Sequence, residues 1–371
     1  MTTAAVENAL LTTFDVGRLR LRNRVVMAPM TREASHDGTP TPAMIDYYVR
    51  RAAGGVGLII TEGTTVAHEA ARNRTGIPVF HGDANLQRWS ELVAAVHAEG
   101  AAIVPQLWHV GMDRKVGDPP DPLVHPAGPS GVDLHGAVVA DPLSSAQIDD
   151  IVAAFGTAAG EAQRLGFDGI ELHGAHGYLI DQFLWSRTNR RTDQYGGDIA
   201  RRTRFAADVV RACRSAVSSD FPIIFRLSQW KITDFDARLA ASPAELEEIV
   251  SPLAAAGVDV FHCSTRRYWE PAFEGSPLTL AGWVRHITGL PTIAVGSVGL
   301  RDSDFISTLL TGAGAAVEGL ARVAEFLNRG EFDLVCVGRA LISDPAWVNK
   351  IAAGRHDELV PFDAADLARL Y

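Results

Sequence analysis

The sequence predicts a (β/α)8 TIM barrel, and three observations carry the prediction. Short apolar runs alternate with segments of helical period almost from end to end. The apolar runs number eight. No linker or shift of composition separates a second unit, so residues 1–371 read as a single domain. An open sheet of eight parallel strands shares this periodicity and stands as the alternative.

The expected strands are, in order, Arg24–Pro29, Gly57–Thr61, Ala102–Leu107, Gly169–His173, Ile223–Leu227, Val258–Cys263, Thr292–Val295 and Leu334–Val337. Each is a short run of the kind buried on both faces. Helical period marks Leu86–Ala98, Ser145–Leu165, Arg202–Ala216, Pro243–Ala256 and Asp302–Leu310. Ser242 before Pro243, with Glu245 following, has the pattern of a capped helix start, and Ser144 reads the same way. Two stretches break the rhythm. Gly111–Pro142 is rich in Pro, Gly, His and Asp, a long excursion after the third strand on the side where barrels build active sites. Ser186–Gly197 is basic, but Asp193 and the turn Tyr195-Gly196-Gly197 favour a structural ion-pair loop over a phosphate or nucleic-acid site.

Composition narrows the function classes. Hydrophobic residues make up 47% and charged residues 21%, a globular balance. The net charge of −10 argues against nucleic acid and against anionic membranes as partners. Cys213, Cys263 and Cys336 are far apart and form neither a cluster motif nor a disulfide framework. Met1–Asp15 has no Lys or Arg, so no signal peptide is expected, and no run approaches the ~18 apolar residues of a membrane span. A cytoplasmic protein is expected. Association into a homo-oligomer is compatible with the sequence.

Barrel chemistry sits at the C-terminal ends of the strands. The fourth strand opens into His173, His176 and Tyr178, with Gly174 and Gly177 expected to turn the backbone. Two imidazoles beside a phenol can hold a developing oxyanion and deliver a proton. Gly296 and Ser297 after the seventh strand, and Gly338 and Arg339 after the eighth, have the makings of a phosphate cradle, although ordinary turn glycines would look alike. Arg226 ends a buried strand, where a cation requires a carboxylate or an anionic ligand. Gln106 offers both donor and acceptor. Flavin mononucleotide has the phosphate, the amide-like ring edge and the anionic reduced form that would satisfy these groups.

With these residues in place, the chain resembles the Old Yellow Enzyme family of FMN-dependent oxidoreductases over nearly its whole length. The matching stretches are Asn23 to Arg32, Ile59 to Gly63, Gln106-Leu107-Trp108, His173 to Gln182, Arg191 to Gly197, Arg226-Leu227-Ser228, Val295-Gly296 and Val337-Gly338-Arg339. The resemblance implies FMN as cofactor, NADPH or NADH as reductant, and a small electron-poor alkene as substrate. It implies that Pro29, Met30 and Thr31 lie along the flavin, that Gly63 and Gln106 contact its ring, and that Arg226 compensates the anionic reduced form. Gly296, Ser297, Gly338 and Arg339 fall where the family binds phosphate. His173 and His176 match the pair that binds the activating oxygen, and Tyr178 matches the proton donor. Trp108, Tyr268 and Trp269 are read as walls of the substrate pocket.

The chain also departs from the family's patterns. Its histidine pair matches one branch, and Thr31 matches another that pairs His with Asn; the segment Ser228–Lys231 and the loop His262–Trp269 match neither. A metal-dependent hydrolase would draw on His109, His173, His176 and His262, but carboxylates are scarce at the strand ends. A flavin-binding protein without turnover is disfavoured by the intact His173, His176 and Tyr178. A larger dehydrogenase with iron–sulfur and dinucleotide domains is disfavoured by the chain length and the scattered cysteines.

Overall fold

A computed structural model describes residues 3–301 and 314–371. The helix expected at Asp302–Leu310 lies outside these residues.

Eight parallel strands close into a barrel in the order β10-β3-β4-β5-β6-β7-β8-β9, which settles closed barrel against open sheet. They are β3 (Val25–Met27), β4 (Leu58–Thr65), β5 (Ala102–Trp108), β6 (Ile170–His176), β7 (Ile223–Lys231), β8 (Val260–Ser264), β9 (Thr292–Val295) and β10 (Leu334–Val337). All eight coincide with expected runs. Three extend by several residues at the C-terminal end: β4, β6 and β7 run on to Thr65, His176 and Lys231. Polar residues in those extensions hide the strand from a reading based on apolar runs.

Alternation sorts each strand between two cores. Val26, Ile60, Val104, Ile224, Val260 and Ile293 pack in the barrel interior. Their neighbours Val25, Ile59, Ile103 and Ile223 join the layer between barrel and helices. The same parity therefore sends Gln106, Glu171, His173, Arg226, His262 and Ser264 inward, above the apolar layer. A hairpin of β1 (Phe14–Val16) and β2 (Leu19–Leu21) closes the opposite end, with Leu19 and Leu21 in the interior cluster. Its three-residue strands are too short for periodicity to reveal. Helices α1 (Thr3–Leu11) and α2 (Pro42–Ala53) are likewise absent from the sequence reading.

Around the barrel, α3 (Asp83–Ala98), α4 (Ser145–Arg164), α6 (Ile199–Ala216) and α7 (Pro243–Ala256) follow their expected segments. Ser144 caps α4 in a reciprocal box with Gln147, and Ser242 accepts the Glu245 amide at the head of α7. The short helix α5 (Leu179–Leu184) follows β6 directly. In the basic loop, Arg191 pairs with Asp193 at 2.5 Å and donates to the carbonyls of Pro129 and Leu143. The loop thus clasps the excursion after β5, in keeping with a structural role.

Candidate active site

One cavity opens at the C-terminal end of the barrel. Its lining includes Pro29, Met30 and Thr31 after β3, Gln106 and Trp108 of β5, His173 and His176 of β6 with Tyr178 just past it, and Arg226 of β7. Gly296 and Ser297 after β9 and Gly338 and Arg339 after β10 complete the predicted set on its wall. Six strand ends thus bring together residues more than 300 positions apart in sequence.

Three expected residues do not line it. Gly63 lies against Trp108, where an added Cβ would meet the indole at 2.4 Å; its lack of a side chain serves that packing. Tyr268 is 2% exposed, with its ring edge-on to Phe326 and Phe332. Its backbone amide donates to Gly296 O, turning the loop away from the cavity. Trp269 packs on Tyr268 and beneath the Arg322 guanidinium. Past the end of β8 the strand alternation no longer aims side chains, so parity gave no guide there. In their place stand Trp230, Ile232 and Phe235 from β7 and its loop, together with Arg266 and Leu367. Trp230 follows Arg226 and Ser228 at inward parity, the one signal that would have found it.

The histidine–tyrosine cluster is compact. His173 and His176 lie with ring centroids 5.1 Å apart, and Tyr178 is 5.0 Å from His173 and 4.8 Å from Trp108. Trp230 covers His176 at 4.4 Å. A register irregularity in the β6–β7 pairing between Gly174 and His176 re-aims the strand end. The positive backbone angle falls on His176 (φ 66°) and Gly177 (φ 88°), whereas Gly174 is needed because a Cβ there would strike Phe225 at 2.3 Å. A left-handed histidine is strained and persists only where its surroundings fix it. Ser228 Oγ accepts the His176 amide at 2.9 Å, and Asp181 Oδ2 accepts that of Gly177 at 2.6 Å. Asp181 is itself held by Lys231 at 2.7 Å, both side chains fully buried.

Burial, with the positive field of Arg226 behind it, holds both imidazoles well below the ordinary histidine pKa, so they are neutral donors and acceptors. Burial raises the Tyr178 phenol, with Asp113 adding to the effect, which keeps its proton on the oxygen.

Beneath them lies Arg226, 7% exposed. Its protein contact is one long hydrogen bond, Nη2 to Ser264 Oγ at 3.4 Å, and its Nε is buried without a partner. Glu171, the acid whose charge acts on Arg226, is already committed. Gln106 Nε2 donates to Glu171 Oε1 at 2.7 Å, and His262 Nδ1 meets Oε2 at 2.6 Å. Glu171 escaped the sequence reading, although its parity with His173 marks it as inward. His109 bonds His68 at 2.9 Å. His109 and His262 are thus engaged elsewhere, and among the described residues no cluster of three or more His, Cys, Asp or Glu is placed to hold a metal ion.

The sequence profile of the NADH:flavin oxidoreductase / NADH oxidase family matches residues 9–358. An NADH oxidase of Thermoanaerobacter brockii is 37% identical over 355 residues, covering 93% of this chain and 50% of that protein. An NADPH dehydrogenase of Halalkalibacterium halodurans is 31% identical over 355 residues, covering 94% of this chain and 95% of that protein. The chain therefore spans about half the length of the oxidase and nearly all of the dehydrogenase. Morphinone reductase in complex with tetrahydroNAD superposes with a TM-score of 0.78 at 29% identity, covering 96% of this chain and 93% of that one.

Proposed function

Because the chain belongs to the NADH:flavin oxidoreductase / NADH oxidase family, the Old Yellow Enzyme group, we propose that it is an FMN-dependent NAD(P)H oxidoreductase reducing activated C=C bonds in α,β-unsaturated carbonyl or nitro compounds. The proposal takes residues 1–371 as one cytoplasmic barrel domain; no described helix is long and apolar enough to cross a membrane.

The observation that carries the reading is Arg226, a buried cation on the cavity wall with no carboxylate paired to it among the described residues. Such a charge is costly unless an anionic ligand meets it. The residues fit FMN. Arg226 would compensate negative charge on the ring system, and Gln106, its amide oriented by Glu171, would leave its oxygen to accept from a ring N–H. Gly338 keeps the wall open beside Ala28 and Met30, each 3.6 Å from where a Cβ would stand. Ser297 and Arg339, next to each other on the wall, would hold the phosphate. Bound FMN would supply the two-electron chemistry, taking hydride from a nicotinamide and passing it to the alkene.

The chain's own residues would do the rest. The nicotinamide and the alkene use one cavity in turn, a ping-pong order. His173 and His176, neutral, would donate to the activating oxygen as negative charge builds on it. Trp108 and Trp230 exclude water from that oxygen. Tyr178, which retains its proton, would deliver it to the α-carbon.

Tyr178→Phe tests this reading. Substrate binding should persist while reduction of a simple enone slows by roughly 10²–10⁴. Nitroalkenes should suffer less, because their nitronate can leave and be protonated by water. Enone reduction at the parent rate would remove Tyr178 from the role of acid.

A further inference from the structure

The two nitrogens of His176 differ in their surroundings. Nε2 lies 2.8 Å from Ser264 Oγ, while Nδ1 makes no hydrogen bond among the described residues and belongs to a side chain on the cavity wall. Ser264, 2% exposed at the end of β8, has a second neighbour, the Arg226 guanidinium at 3.4 Å. Arginine only donates, so Ser264 Oγ must accept from it. Among the described residues the hydroxyl proton has no other acceptor than His176 Nε2, so the arrangement that satisfies it donates there. An imidazole that accepts at Nε2 carries its proton on Nδ1.

We propose that Ser264 is a positioning residue that selects the Nδ1–H tautomer of His176, so that this ring presents a donor to the cavity. The chain of contacts runs from Arg226 through Ser264 to His176 across β7, β8 and β6. Ser228 fixes the backbone of the same histidine in its left-handed conformation, and Trp230 covers the ring. The opposite tautomer would aim a lone pair at a substrate oxygen and repel it. The field of Arg226, which helps keep the ring neutral, is what leaves two tautomers to choose between.

The inference rests on the proposed role of His176 as donor to the activating oxygen, but it can be read without turnover. In FMN-loaded protein labelled with ¹⁵N-histidine, the His176 signals are assigned by their loss in His176→Asn. The parent should show a protonated Nδ1 and a bare Nε2. Ser264→Ala should move Nε2 towards the protonated form and weaken binding of phenol, an enolate mimic, by about tenfold, the equivalent of one lost hydrogen bond. Ser264→Thr, which keeps the hydroxyl, should restore both readouts. A protonated Nε2 in the parent overturns the proposal even if no Ser264 variant folds. Unchanged nitrogens and unchanged phenol affinity in Ser264→Ala overturn it as well. A parent with the expected tautomer that reduces no enone or nitroalkene would count against the proposed function and leave the assignment of Ser264 standing.

Discussion

Two buried cations on β7, five residues apart, have opposite fates. Arg226 points into the barrel, meets no carboxylate among the described residues and lines the cavity. Lys231 is fully buried on the other side of the strand's end, 2.7 Å from Asp181 of α5. Burial lowers the pKa of both, and in both a nearby acid opposes the effect. What separates them is whether the partner is supplied by the fold. Lys231 is satisfied within the protein and belongs to the scaffold that holds Gly177 between His176 and Tyr178. Arg226 is left for a ligand. A buried charge is therefore informative about function only once its partner is known.

The largest expected effect would break the scaffold side of this contrast. Lys231→Met leaves Asp181 buried and unpaired, and should cost about 3–5 kcal/mol of folding stability in chemical denaturation at pH 8. Part of that should return at pH 5, where Asp181 can take up a proton. The double change Lys231→Met with Asp181→Leu should regain most of the stability yet slow enone reduction, because the Gly177 amide loses its acceptor. Full activity in the double variant would show that the pair does not position Tyr178.

A buried carboxyl group on β4, Glu62, sharpens the comparison. Glu62 accepts the amides of Arg32 and Glu33, and burial raises its pKa from 4.5 to about 7. The folded state therefore keeps a proton that the unfolded chain loses between these values. Stability from this group falls as pH rises through that window, by about 3 kcal/mol in all. Glu62→Gln should flatten the pH dependence of stability between pH 5 and 8 and gain relative to the parent at the upper end. Parallel curves for variant and parent would show that Glu62 ionises in the ordinary range.

The smallest effect is expected at Arg226. Arg226→Met should not destabilise the apoprotein as Lys231→Met does, since it removes a cation without an ion-pair partner. It should weaken FMN retention by the roughly 1.5–3 kcal/mol of a charge-assisted contact and lower the flavin reduction potential. An unchanged potential would deny Arg226 its role beside the ring system.

Much of this was legible in the residues. The eight strands lie where the apolar runs stand, and His173, His176, Tyr178, Arg226 and Arg339 meet on one cavity as their strand-end positions imply. The reading failed beyond the strand ends. Tyr268 looked like a pocket wall and is packed against Phe326 and Phe332, while Trp230 and Phe235 take that place. Glu171 passed unnoticed inside an apolar run, although it orients Gln106 and engages His262.

The sequence by itself determined which residues form strands and, through their period of two, which side chains face inward. Those are local properties, set by backbone geometry within a few residues. Only the tertiary structure decided which inward polar groups find partners in the protein and which are left to a ligand. Glu171 meets His262 across 91 residues, and His176 meets Ser264 across 88. Such pairings exist only once the barrel closes, because closure brings strands remote in sequence to the same height around one axis. The neutrality of the histidines, the unpaired charge of Arg226 and the handedness of His176 all follow from that closure.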